Sequence, residues 1–231
     1  MMAMGEMPMP GGWTMSMMWM RMPGQTWISA TASFLIMWVP MMAAMMLPSL
    51  IPMLRRYRQA LGIPGEARLG LLTTLVGAGY FSVWAALGIL IFPLGVALAE
   101  IEMQHSALAR AVPIAACVVV LAGGALQFTK WKARHLVCCR ETPAGLHRLP
   151  ADPGAALRHG LRLGRHCSYS CAGLTAILLV SGVMNPAAMA AMTAAITVER
   201  LAPAGEQVAR AIGAVVIGAA LVLITRTAVI P

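Results

Sequence analysis

Charge is scarce in this chain. Only 11% of its 231 residues are Asp, Glu, Lys or Arg, where a soluble domain carries about 25%. Mean hydropathy is +0.76. A soluble globular fold is therefore excluded, and a polytopic, all-α membrane protein is implied. Several catalytic signatures are also missing: there is no CxxCH, P-loop, HExxH or nucleophile elbow. None of the 5 His lies deep in an apolar run, which argues against a bis-histidine haem within the bilayer. The first residues lack the positive n-region and small-residue cleavage site of a secretory signal.

The uncharged runs mark the spans. Arg21 to Arg55, Arg68 to Glu100, Arg110 to Lys130 and Arg165 to Glu199 each bracket about 20 or more residues without a charge, enough for one crossing. Arg210 to Arg226 is shorter and becomes a fifth span if both arginines snorkel to opposite interfaces. The expected architecture is a bundle of about five spans, near 27–54, 69–98, 111–131, 167–198 (broken near 185) and 207–230, following a Met-rich exterior tail at 1–25. With the N-terminus outside, only Arg21, Arg110, Arg200 and Arg210 of the 17 Lys and Arg face out, which satisfies the positive-inside rule. The net charge of +9 then reflects a cytoplasmic face beside anionic lipid and requires no nucleic acid.

Proline and glycine qualify these spans. Pro40, Pro48 and Pro52 are expected to interrupt the first, because a helix-interior proline frees the carbonyl four residues back. Asn185-Pro186 is the natural break in the fourth, and 187–200 reads as a short helix along the outer face. Gly77, Gly79 and Gly88 suit close helix approach in the second span, as do Ala214 and Gly218 in the last. Lys130 and Lys132 read as interface anchors.

Methionine is abundant, at 20 residues, half of them in the first 22. Residues 37–46 read Met-Trp-Val-Pro-Met-Met-Ala-Ala-Met-Met. Met41 pairs with Met45 and Met42 with Met46 at i,i+4, on shared helix faces, with Met37 one turn above Met41. Thioether is a soft, neutral ligand that suits Cu(I). Methionine is also a flexible core filler, so packing is the competing reading. In the tail, Trp13 and Trp19 sit among closely spaced methionines and can add cation–π attraction.

A second candidate set gathers at the expected cytoplasmic end. His135, Cys138 and Cys139 follow the third span, and His166, Cys167 and Cys171 open the fourth. Thiolate and imidazole suit Cu(I) or zinc, and cytosolic thiols stay reduced. Inert cysteines at buried helix ends are the alternative. Weaker candidates are Glu100, Glu102, Met103 and His105 in an outer loop, with Met184, Asn185 and Met189 near the Asn-Pro break.

The run Trp38-Val-Pro-Met-Met-Ala-Ala-Met-Met-Leu-Pro48 resembles the opening motif of a bacterial family of unknown function, described as predicted metal-binding integral membrane proteins. The resemblance continues at Gly79-Tyr80 with Trp84, Lys132 to Arg140, His159-Gly160, Cys167, Cys171, Gly182-Val-Met-Asn185 and Glu199-Arg-Leu-Ala-Pro203. His135 and Ser170 stand where the family has cysteine, which favours mixed His/Cys ligation. The resulting expectation is a multi-pass protein of the bacterial inner membrane that binds a soft metal, copper as Cu(I) first. It would serve copper transport, storage or delivery, a binding role favoured over an enzymatic one without the sequence deciding between them. Its partners would be the lipid bilayer, a copper chaperone or membrane cuproenzyme, and further copies of itself. The alternatives are a membrane thiol oxidoreductase using Cys138/Cys139 and Cys167/Cys171, or a structural or assembly subunit.

Overall fold

The computed structural model describes residues 6–9, 13–21, 24–61, 65–140, 152–183 and 185–229. Among them the fold is all-α apart from one short hairpin. Strands β1 (Glu6–Met9) and β2 (Trp13–Ser16) lead to a 3-10 turn, Met17–Trp19. Seven helices follow: α1 (Trp27–Leu61), α2 (Glu66–Gln104), α3 (Ser106–Leu126), α4 (Lys130–Arg140), α5 (Pro153–Ser181), α6 (Pro186–Leu201) and α7 (Gly205–Val229). Four, α1, α2, α3 and α7, are long and apolar enough to cross a membrane.

α1 stays helical through all three prolines, contrary to the expected interruption. Pro40 and Pro48 sit on its exposed side, as do Ile36 and Ala44, whose carbonyls lose their helical partner. The opposite arc, with Phe34, Trp38, Met41, Met42, Met45, Met46, Ser49 and Leu50, is buried. Pro40 and Pro48 therefore fall where no neighbouring helix has to fit around them, and Pro52 is half-buried.

Contacts fix the helix directions. Phe34 meets Phe92 and the Trp38 indole N–H donates to the Trp84 carbonyl at 2.9 Å, so α1 and α2 are antiparallel. α5 runs parallel to α2, with Gly160 against Val76 and Gly164 against Tyr80. A Cβ on Gly79 would lie 2.5 Å from the Leu157 carbonyl, and one on Gly160 would collide with the Val76 backbone. Glycine is what lets these two backbones touch. Gly123 and Gly173 serve α3 against α5 in the same way. For α3 against α7 the residues are Gly124 and Gly213; Gly218 meets nothing within 4 Å and Ala214 is exposed, so the expected Ala214/Gly218 pair is one helical position off.

Two helix starts explain the break between α5 and α6. Asp152 caps α5 by accepting from the Ala155 N–H at 3.1 Å, with Pro153 in the first turn. Asn185 caps α6 by accepting from Ala187 and Ala188, with Pro186 in its first turn. α6 does not lie across the end of the bundle. Its last turn brings Arg200 to Ser170 and Cys171 of α5 and to Ser49 of α1, so it runs back along α5. Lys132 of α4 forms an ion pair with Glu199 of α6 at 2.8 Å. The two residues therefore cannot lie on opposite faces of a membrane, which corrects the placement of Glu199 and Arg200 outside and of Lys132 as a cytoplasmic interface anchor. Both partners of this pair are buried.

The tail is not extended throughout. Its hairpin and 3-10 turn dock on the end of the bundle where α2 passes into α3, with Trp19 against Gly95 and Phe34.

Candidate metal centre

α1 and α5 meet through sulfur. Met41, Met42, Met45 and Met46 belong to one buried cluster with Cys139, Cys167 and Cys171, together with Trp38, Tyr80 and Trp84. The Cys167 thiol points at the Met46 thioether, Sγ to Sδ 3.9 Å. Tyr80 of α2 places its hydroxyl 2.8 Å from Cys167 Sγ, either atom being able to donate. The two candidate sets read from the sequence, the methionines of the first span and the His/Cys set, are thus in large part brought into one buried cluster. The reason is the length of α5. It begins at Pro153, so Cys167 and Cys171 lie in mid-helix and in the packed interior, not at a helix end.

One turn deeper the cluster becomes polar. Arg200 is buried and donates through Nη1 to Ser49 Oγ at 3.3 Å. Its Nη2 reaches Ser170 Oγ and Cys171 Sγ, each at 3.4 Å. Ser170 in turn donates to the Cys167 carbonyl at 3.0 Å. Cys139 of α4 lies 3.9 Å from Ser170 Oγ. The guanidinium therefore sits among three buried cysteines, a fixed positive charge against which a thiolate can be held in a low-dielectric interior. The Nε of Arg200 and the indole N–H of Trp84 are buried and have no hydrogen-bond partner among the described residues.

The remaining candidates separate. His135 and His166 pair with each other, Nδ1 to Nδ1 at 3.0 Å, in an aromatic patch with Trp131 and Tyr169. At that distance one ring nitrogen donates and the other accepts, so at least one of the two rings is neutral. Cys138 is exposed, a neighbour in sequence of buried Cys139 but turned about 100° away on the helix. The six-residue His/Cys set thus splits into a buried thiol group and a half-buried histidine pair. Met37 is partly buried at the rim of the cluster, and Met189 packs against it from α6. Asn185 uses its side-chain oxygen as a helix cap. Glu100, Met103 and His105 are exposed and Glu102 is half-buried. Met184 lies outside the described residues. Among the described residues no three His, Cys, Asp or Glu side chains converge as a ligand set. That includes the zinc site considered at the His/Cys cluster. A centre for a soft metal here has to draw on thioethers, and the Met46–Cys167 junction supplies one beside a thiol.

Sequence reasoning missed Arg200, Tyr80, Ser49 and Ser170. Arg200 and Tyr80 do fall within the motif segments that carried the family resemblance, Glu199-Arg-Leu-Ala-Pro203 and Gly79-Tyr80. A charged residue inside such a segment, in a chain so poor in charge, was the available signal.

Residues 35–223 match the model of one protein family, PpoB2, described as copper chaperone. No curated protein and no solved structure matches the chain.

Proposed function

The chain belongs to that copper chaperone family, and from this premise we propose that the buried sulfur cluster is where it carries Cu(I) for delivery to another protein. Copper is cargo here. Met46 and Cys167 form the core of the site, and Met42 and Cys171 of the same buried cluster are the candidates to complete a sulfur-only shell. Soft donors at low coordination number retain Cu(I) and disfavour harder cations. Binding displaces the Cys167 proton, and Tyr80 then donates to the thiolate it now faces at 2.8 Å. Arg200 holds Cys171 and Ser170 in place and supplies the positive charge that a second thiolate needs. His135, one turn of α4 from Cys139, and its partner His166 on α5 offer the next donors on the way out of the cluster.

The four long apolar helices support a membrane location, and we take the chain to be a multi-pass protein of the bacterial inner membrane whose recipient is a membrane cuproenzyme or a soluble copper carrier. The observation that carries the reading is the contact between the α1 thioether and the α5 thiol, buried on both sides. It is tested by loading the purified protein in detergent with Cu(I) under a competing chelator and recording the copper X-ray absorption edge. The expected result is an all-sulfur shell and the loss of one Cu(I) per chain in the Met46→Leu/Cys167→Ala double variant. Full stoichiometry with an unchanged spectrum in that variant would show the cluster to be packing only.

A further inference from the structure

The hairpin ahead of the bundle lies outside the residues that match the copper chaperone family. Its register pairs Met7 with Met15 and Met9 with Trp13. Side chains alternate along a strand, so Met7, Met9, Trp13 and Met15 all occupy one face, and Thr14 and Ser16 the other. Directly opposed residues in an antiparallel pair have their Cβ atoms about 5 Å apart, within reach of long, flexible thioether arms. The sulfur-bearing face turns inward. Met9 and Met15 are buried over Ala99 and Ala109, and Met7 and Trp13 pack partly buried beside them.

This docking is specified by the helix beneath. Pro113 has no N–H, so the Ala109 carbonyl of α3 loses its partner four residues on. The Trp13 indole N–H donates to that same carbonyl at 2.8 Å. The hairpin is therefore held in one place on α3, and the indole ring is held by its edge. Strands ordinarily fill an inward face with β-branched or aromatic residues; this one uses methionine at every inward position except Trp13. Glu102, one turn past Ala99 and half-buried, adds a carboxylate on the same side of α2.

We propose that Met7, Met9 and Met15, with the Trp13 ring against them, form a second Cu(I) site that captures the ion before it enters the bundle. Three neutral thioethers give a trigonal soft site, and an indole face adds attraction for a cation. Below it Trp19, Phe34 and Trp38 form an aromatic column, with successive ring centroids 5.7 and 5.5 Å apart, leading to the α1 methionines. The two sites are thus stacked along α1 and separated by aromatic rings.

The full chain in detergent is titrated with Ag(I), a redox-stable substitute for Cu(I), and with Cu(I) under a competing chelator. Bound metal and tryptophan emission are followed together. Wild type is expected to bind two ions per chain. The Met7→Leu/Met9→Leu/Met15→Leu variant should bind one, the Met46→Leu/Cys167→Ala variant should keep one, and the combined variant none. Binding at the hairpin should quench emission, and Trp13→Phe should remove that phase. Met7→Leu alone, at a partly exposed position where leucine leaves folding unaffected, should weaken the hairpin ion about tenfold. The proposal is overturned if the Met46→Leu/Cys167→Ala variant binds no ion, or if the triple variant and Met7→Leu both bind as wild type. A triple variant that binds nothing would instead count against the bundle site, so the two failures are distinguishable.

Discussion

Removing the carboxylate of Glu199 should be far more damaging than removing the ammonium of Lys132, although the two form one ion pair. Lys132 Nζ lies 2.8 and 3.0 Å from the two Glu199 oxygens, and both side chains are at most 4% exposed. Arg200, equally buried, also interacts electrostatically with both partners. The trio carries one net positive charge. Glu199→Gln leaves two buried cations and no anion, whereas Lys132→Met leaves Glu199 with Arg200 as a counter-charge. Breaking a buried pair typically costs about 3–5 kcal/mol, and replacing both members by apolar groups is often neutral or better. The glutamine variant should sit at the top of that range or beyond, the methionine variant below it. The Lys132→Met/Glu199→Leu double variant, which restores the original net charge, should fall near wild type. With about 2–4 °C of melting temperature per kcal/mol for a chain of this size, the glutamine variant should melt about 10–20 °C lower in detergent. Thermal unfolding of the wild type and these three variants, followed by tryptophan emission, measures this. The reasoning fails if Glu199→Gln is no worse than Lys132→Met, or if both cost less than about 1 kcal/mol.

Three further outcomes are expected. Gly160→Ala should force α5 away from the Val76 backbone and cost more than the roughly 1–3 kcal/mol of ordinary overpacking, while Gly218→Ala, facing open space, should change melting by little. His159 stacks on Tyr57, and burial, then Arg162, hold its pKa below the usual value, so it is neutral in the fold. Its contribution to stability is present above the unfolded-state pKa of about 6.5 and is lost as pH falls toward the lower folded-state value. Melting temperature should therefore drop between pH 7.5 and pH 5, and His159→Gln should flatten the curve. The helix directions put the start of α1 and the end of α7 at the same end of the bundle, because α6 runs back along α5 and α7 returns beside α3. Compartment-sensitive reporters at the two termini should therefore give the same signal, and opposite signals would restore five crossings.

The all-α class and the long apolar helices were legible because a run of uncharged residues shows itself one residue at a time. Long uncharged runs have few uses outside a bilayer, and the i,i+4 methionines marked the buried arc of α1 without help from any other segment. What escaped were features made by two distant segments. Lys132 and Glu199 are 67 residues apart, and neither shows in its own surroundings that it has a buried partner, so each read as an interface residue. The Asn185-Pro186 break was visible, but not the direction of the chain beyond it, which depends on Arg200 finding Ser49 and Cys171. Cys167 and Cys171 were taken for a helix end because charge stops at Arg165. In fact α5 runs on through His159, Arg162 and Arg165, the charged residues lying on a stretch that the glycine contacts hold against α2. The tail hairpin was hidden by its composition, since methionine is a weak signal for a strand and the partner of Trp13 is a carbonyl vacated by a proline on another element.

The fold-back of α6 also constrains how this protein is made. A helix with a glutamate and an arginine in its last turn is a poor substrate for insertion by itself, since each such charge costs about 2.5–3.5 kcal/mol at mid-bilayer on the translocon scale. Yet α6 leaves the ribosome after α1, α4 and α5, the three helices that hold Ser49, Lys132, Ser170 and Cys171. The partners of its charges are already synthesised when it emerges. The expected biogenesis is sequential: α6 enters a preformed polar seat, and the sulfur cluster closes only when that late helix arrives. Chains truncated before Pro186 should accumulate in the membrane with an open cluster, and quality control has a defined intermediate to recognise.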